Sequence, residues 1–160
     1  MHRYNAPASV KSPRGFTLLE LLLAVTIGAI LLMVALPVYK DFTTQSSAST
    51  ALNDMAKIDA AIQHYHMLHG EWPPTLADAI SPVPKDPWGR EYAYLRLDPA
   101  TGSSRGKARK DQNLVPINSD YDLYSLGEDG KTASPLTSAN SQDDIVRGNN
   151  GAYFGLGKDY

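Results

Sequence analysis

Three histidines, His64, His66 and His69, stand close enough together in the sequence to suggest a metal site. On a helix His66 and His69 share a face, but His64 points elsewhere, and no carboxylate at matching spacing occurs before Glu71. Solvated or half-buried helix positions are the better reading of all three. The chain has no cysteine, which excludes disulfide scaffolds and cysteine-based zinc or redox sites. No phosphate loop, nucleophile elbow or paired catalytic constellation is present. A formal charge of −2 leaves no electrostatic footprint for nucleic acid. The residue that most demands an account is Glu20, the first carboxylate in the chain, set inside an apolar run. On insertion scales a carboxylate at mid-membrane costs about 2.5–3.5 kcal/mol, and less near the interface. In the first turn of a helix the backbone dipole favours an anion. Glu20 therefore reads either as a headgroup-level residue tolerated for that reason or as one retained for a task.

The elements around Glu20 follow from pattern. Much of the 42% hydrophobic content lies in residues 16–38. Residues 16–36 alone suffice to cross a hydrocarbon core of roughly 30 Å as a helix. Arg3, Lys11 and Arg14 precede that run with no acid among them. The positive-inside rule keeps such a leader cytoplasmic and sends the C-terminal part outside. An ordinary secretory signal needs a small-residue cleavage site after the apolar run. Pro37-Val-Tyr-Lys40 offers none, so cleavage is expected before the run rather than after it. Thr26, Gly28 and Pro37 interrupt the apolar helix, and Pro37 predicts a kink or local loss of helix.

Beyond the apolar run, Ala48, Leu52, Met55, Ile58, Ile62, Tyr65 and Leu68 recur at steps that line one face of a helix. Gly70 is the expected stop, ahead of Trp72-Pro-Pro74. A continuous helix over 16–69 would be on the order of 80 Å long. No small head spans that distance, so its first half is expected to protrude. A short helix is expected over 75–80 with Thr75 as N-cap, and a turn at Asp86-Pro-Trp-Gly89. Strands are expected over 92–97 and 121–126. The polar loop 98–120 between them, with Arg105, Lys107, Arg109 and Lys110, reads as solvated.

Lys11-Ser-Pro-Arg-Gly15 followed by Phe16-Thr-Leu-Leu-Glu20 resembles the prepilin peptidase recognition site of type IV pilin-like proteins. The resemblance implies cleavage between Gly15 and Phe16 and N-methylation of Phe16. It implies that Glu20 pairs with the Phe16 amine of a neighbouring subunit during assembly. In the head, Lys85-Asp-Pro-Trp-Gly89, Tyr92, Tyr94, Asp122-Leu-Tyr-Ser-Leu-Gly-Glu-Asp-Gly130 and Asp143-Asp144-Ile145 resemble the major pseudopilin of type II secretion systems. Departures from that pattern are a short helical segment before Asp86, a long basic loop, and a tail, 147–160, past the usual ending.

From the resemblance follow an α+β pilin fold, with a long N-terminal helix on a small antiparallel sheet, and four regions. These are a leader (1–15), a transmembrane assembly helix (16–39), an amphipathic helix (40–70) and a head (71–160) with a sheet and a C-terminal loop region. It also implies calcium bound by the Leu126 carbonyl and the carboxylates of Asp129, Asp143 and Asp144. Calcium takes several oxygens in irregular geometry, so a loop can supply them. The plainer alternative is an ordinary turn at Glu128-Asp129-Gly130 and a helix start at Asp143-Asp144. The implied function is that of a non-enzymatic pseudopilus subunit that drives protein export, the alternative being a type IV pilin for adhesion, motility or DNA uptake. The implied partners are further copies of itself, other pseudopilins or pilins, the prepilin peptidase and an inner-membrane assembly platform. The implied location is the bacterial inner membrane, spanned once, with a periplasmic head.

Overall fold

The computed structural model describes residues 15–97, 104, 106–112 and 114–160. The basic leader and Arg105 of the polar loop lie outside them. The chain divides after Asp41 into two compact units. Helix α1, Leu18–His69, begins in the first and ends in the second.

In the first unit the Thr17 hydroxyl accepts a hydrogen bond from the Glu20 backbone N–H at 3.2 Å, occupying one of the donors that a helix start leaves open. Leu18, Leu22, Ile30, Met33 and Leu36 are all exposed. Among the described residues, α1 is the one helix long and apolar enough to cross a membrane by length and composition. It runs unbroken through Pro37. The expected local loss of helix is absent because proline forfeits one backbone bond, and the apolar run on either side keeps the others.

In the second unit α1 turns amphipathic. Ala51, Met55, Ile58 and Ile62 are fully buried, and Ala48 and Leu52 pack at the margin. Leu68, expected in this stripe, is exposed in the last turn, whereas Ala51, not expected there, is at its centre. Gly70 closes the helix at φ +75°, its N–H donating to the His66 carbonyl at 2.8 Å. A one-turn helix α2, Leu76–Ala79, follows, with Thr75 at its N-cap. The Asp78 carboxylate accepts from both the backbone N–H and the hydroxyl of Thr75, at 2.9 and 2.7 Å.

Four antiparallel strands make the sheet in sequential order: β1 Ala93–Arg96, β2 Tyr121–Ser125, β3 Ile145–Gly148 and β4 Tyr153–Leu156. Alternation sorts their side chains. Tyr121, Leu123 and Ile145 join Met55, Ile58 and Ile62 in the core beneath α1. Val146 packs on the opposite face with Ile117 and Leu136, flanked by Tyr124, Tyr153 and Tyr160. The expected C-terminal loop region is therefore corrected, because residues 145–156 supply half of the sheet's strands. Their signal was hidden by Arg147 and by glycines, which ordinarily weaken strands. The glycines have a packing reason: a Cβ at Gly148 would run into the Tyr160 ring, and one at Gly155 into Tyr153.

Arg147 ties the sheet to α1. Its buried guanidinium donates to Asp59 at 2.6 Å and to both Asp120 oxygens at 2.9 and 2.7 Å. It stacks over the Tyr121 ring, whose hydroxyl donates to the same Asp59 oxygen at 2.6 Å.

Candidate functional site

Two places carry the residues singled out from sequence. The first is the start of α1. Gly15, Phe16 and Glu20 are all exposed, Phe16 at 82%. A side chain added at Gly15 would meet nothing within 4 Å. The described residues around the Gly15–Phe16 bond leave it accessible. Gly15, Phe16, Thr17 and Glu20 also line a common shallow depression.

The second place is the loop joining β2 to β3. Asp86-Pro-Trp-Gly89 forms the expected turn, closed by the Gly89 N–H on the Asp86 carbonyl at 2.9 Å, with Gly89 at φ +86°. The Asp86 side chain is buried and accepts from the backbone N–H groups of Trp88 and Arg90, at 3.1 and 2.8 Å, and from the Ser125 hydroxyl at 2.7 Å. Arg90 then donates to the Gly127 carbonyl. Two sequence motifs nearly forty positions apart, Asp86-Pro-Trp-Gly89 and Tyr124-Ser-Leu-Gly127, are thus one structural unit. Gly127 is obligatory there, at φ +64°, because a Cβ would collide with the Asp143 backbone.

The four residues expected to hold calcium are placed unequally. Asp129 is exposed, Leu126 and Asp143 are half-buried, and Asp144 is fully buried. Asp143 accepts from the Asp129 N–H at 2.9 Å, and Asp129 accepts from the Lys131 N–H at 2.7 Å. Each carboxylate thus lends one oxygen to the turn. Asp143 and Asp144 lead directly into β3 rather than starting a helix.

Asp144 faces Arg109, whose Nη2 donates to Oδ2 at 2.5 Å, and the Thr132 hydroxyl donates to the same oxygen at 2.6 Å. Burial pushes the Asp144 carboxyl up, against the opposing hydrogen bond from Thr132 and the charge of Arg109. Among the described residues, no three His, Cys, Asp or Glu side chains gather as a metal cluster. The four residues thus do not fit a calcium ion in this arrangement.

Arg109 corrects the reading of loop 98–120 as solvated. It is 2% exposed, and its backbone N–H donates to Asp122 at 2.7 Å. Nothing in its local sequence separates it from Lys107 or Lys110; its partners lie 13 to 35 positions away. His66 stacks on Trp72 at 3.8 Å, His69 stacks on Tyr65 at 4.0 Å, and His64 is exposed.

A helix that begins apolar and ends amphipathic, laid on a four-stranded antiparallel sheet, is the α+β pilin fold. The family profile described as the prokaryotic N-terminal methylation motif matches residues 10–36. A type IV major pilin protein of Neisseria gonorrhoeae is 36% identical over 87 residues, covering 53% of this chain and 48% of the relative. A fimbrial protein of Neisseria meningitidis serogroup B is 42% identical over 60 residues, 38% of this chain and 35% of that protein. The type II secretion system core protein G of Pseudomonas aeruginosa is 28% identical over 138 residues, 73% of this chain and 84% of that protein. The chain spans half or less of the length of the first two relatives. No solved structure matches it. The chain is thus similar to type IV pilins and fimbrial proteins over part of their length, and to a type II secretion core protein over most of that protein's.

Proposed function

We propose that this chain is a subunit of a type II secretion pseudopilus. It is cut between Gly15 and Phe16 by a prepilin peptidase and methylated on the new Phe16 amine. The apolar part of α1 then anchors it in the inner membrane, with the head on the periplasmic side. An inner-membrane platform adds it to a filament of its own copies and other pseudopilins, whose growth drives export of folded proteins. Glu20 pairs with the Phe16 amine of the neighbouring subunit, which neutralises both charges inside the apolar bundle.

The observation that carries this reading is the extent of similarity. At 28% identity over 138 residues the likeness to secretion core protein G covers 84% of that protein, whereas a Neisseria gonorrhoeae type IV major pilin matched at the same identity and length is covered to 64%, and the two Neisseria proteins above to 48% and 35%. A second reading, a type IV pilus subunit, draws on the higher identity of the shorter matches, 36% and 42%, and on the gonococcal pilin match that spans 83% of this chain. Deleting the gene in its own bacterium separates the two. Loss of extracellular export with surface pili intact supports the pseudopilus, and loss of pili with export intact supports the pilus.

A further inference from the structure

The segment between Gly127 and Asp144 has little apolar content to hold it, so polar contacts must shape it. Its centre is a cation carried by the chain itself. We propose that the Arg109 guanidinium occupies the role that the pseudopilin resemblance assigns to calcium, so that the head is built without a metal ion.

The surroundings of Arg109 are those of a cation cage. One guanidinium nitrogen donates to Asp144, and another donates to the Thr132 hydroxyl and the Ala133 carbonyl at 2.5 and 2.7 Å. The group lies 4.4 Å above the centre of the Tyr124 ring. Its backbone N–H is fixed on Asp122, which the Asn118 amide also holds, at 2.9 Å. One residue therefore fastens the 132–133 segment and the entry to β3 onto β2. Calcium bridging the same loop would do the same, but by about six to eight oxygens. A divalent ion at Asp144 would lie against a buried guanidinium, where like charges repel strongly in a low-dielectric interior.

Two observations pull the other way: Asp144 Oδ1 and Arg109 Nε are each buried without a hydrogen-bond partner. Asp129 and Asp143 each lend one oxygen to a backbone N–H group, and no three carboxylates gather around Asp144 among the described residues. The long basic loop that departs from the pseudopilin pattern also gains a purpose, since it delivers Arg109. The inference concerns the head alone and holds whichever filament the subunit builds.

The test uses the full chain in detergent. Both tryptophans, Trp72 and Trp88, lie in the head, so their fluorescence follows its melting. Melting in millimolar calcium chloride and in chelator should give the same midpoint; a midpoint raised by calcium overturns the proposal. Arg109→Gln and Asp144→Asn should each lower the midpoint in chelator by roughly 10 °C, and the double variant by far less than their sum. Additive losses would mean that the pair is not the organising contact, and would overturn it too. If Arg109→Gln does not fold, the comparison of calcium with chelator on the unaltered chain decides alone.

Discussion

Glu20 and Gly15 are exposed, so the roles proposed for them lie outside the fold of a single chain. A Cβ at Gly15 meets no neighbour, so Gly15→Val leaves the described structure undisturbed. Any loss must arise at the peptidase, and unprocessed precursor should accumulate, read as intact mass in membrane fractions. Glu20→Leu removes the cost of a charge in lipid and should insert more readily. If Glu20 pairs with a neighbour's amine, filament yield should nonetheless fall; an unchanged yield would leave Glu20 an interfacial residue. In the head, burial raises the Asp122 carboxyl, opposed by hydrogen bonds from the Arg109 N–H and the Asn118 amide. A raised folded value means that the native state binds the proton more tightly than the unfolded chain. This contribution to stability is complete below the unfolded value of about 3.9 and is lost as pH rises through the folded one. The stability of the unaltered chain relative to Asp122→Asn should therefore decline with rising pH over that window. A flat difference across acid melts would refute it.

At the scale of elements, the joint between α1 and the sheet combines an apolar stripe with one buried cation. Met55, Ile58 and Ile62 supply area, but apolar contact is non-directional and sets no register. Arg147, pinned between Asp59 on the helix and Asp120 beside β2, supplies the register. Arg147→Met keeps most of the volume and strands two carboxylates. It should cost on the order of 3 kcal/mol, roughly 10 °C in the head's midpoint. Circular dichroism should still report α1, whose backbone bonds do not involve this joint. A midpoint within a degree or two of the unaltered chain would show that the apolar stripe alone fixes the docking.

The whole molecule joins units held together by different forces. Residues 15–41 expose their apolar side chains and bury almost nothing within the chain, whereas the second unit has a core of its own. In a detergent micelle the first unit's backbone bonds have no water to exchange with and should resist heat. Heating should therefore abolish the tryptophan signal of the head in one transition while substantial helical dichroism persists. Simultaneous loss of both signals would mean that the units unfold as one.

Most of what depends on near neighbours was determined by the sequence alone, the helix running on through Pro37 being an exception. The apolar run, the stripe over 48–65, the stop at Gly70, the Thr75 cap, the Asp86–Gly89 turn and the first two strands all follow from local spacing and backbone preference. The N-terminal methylation motif is equally local, because it is written in consecutive residues. Tertiary structure alone decided which polar side chains are interior. Arg109 and Arg147 look like surface residues in their own segments, and each is buried because carboxylates 27 to 88 positions away meet it there. β3 and β4 escaped for a related reason, since their glycines have a purpose only once Tyr153 and Tyr160 cover them. A buried charge is stable only with its partner in place, and that pairing is made by the fold, with no trace in the residues on either side.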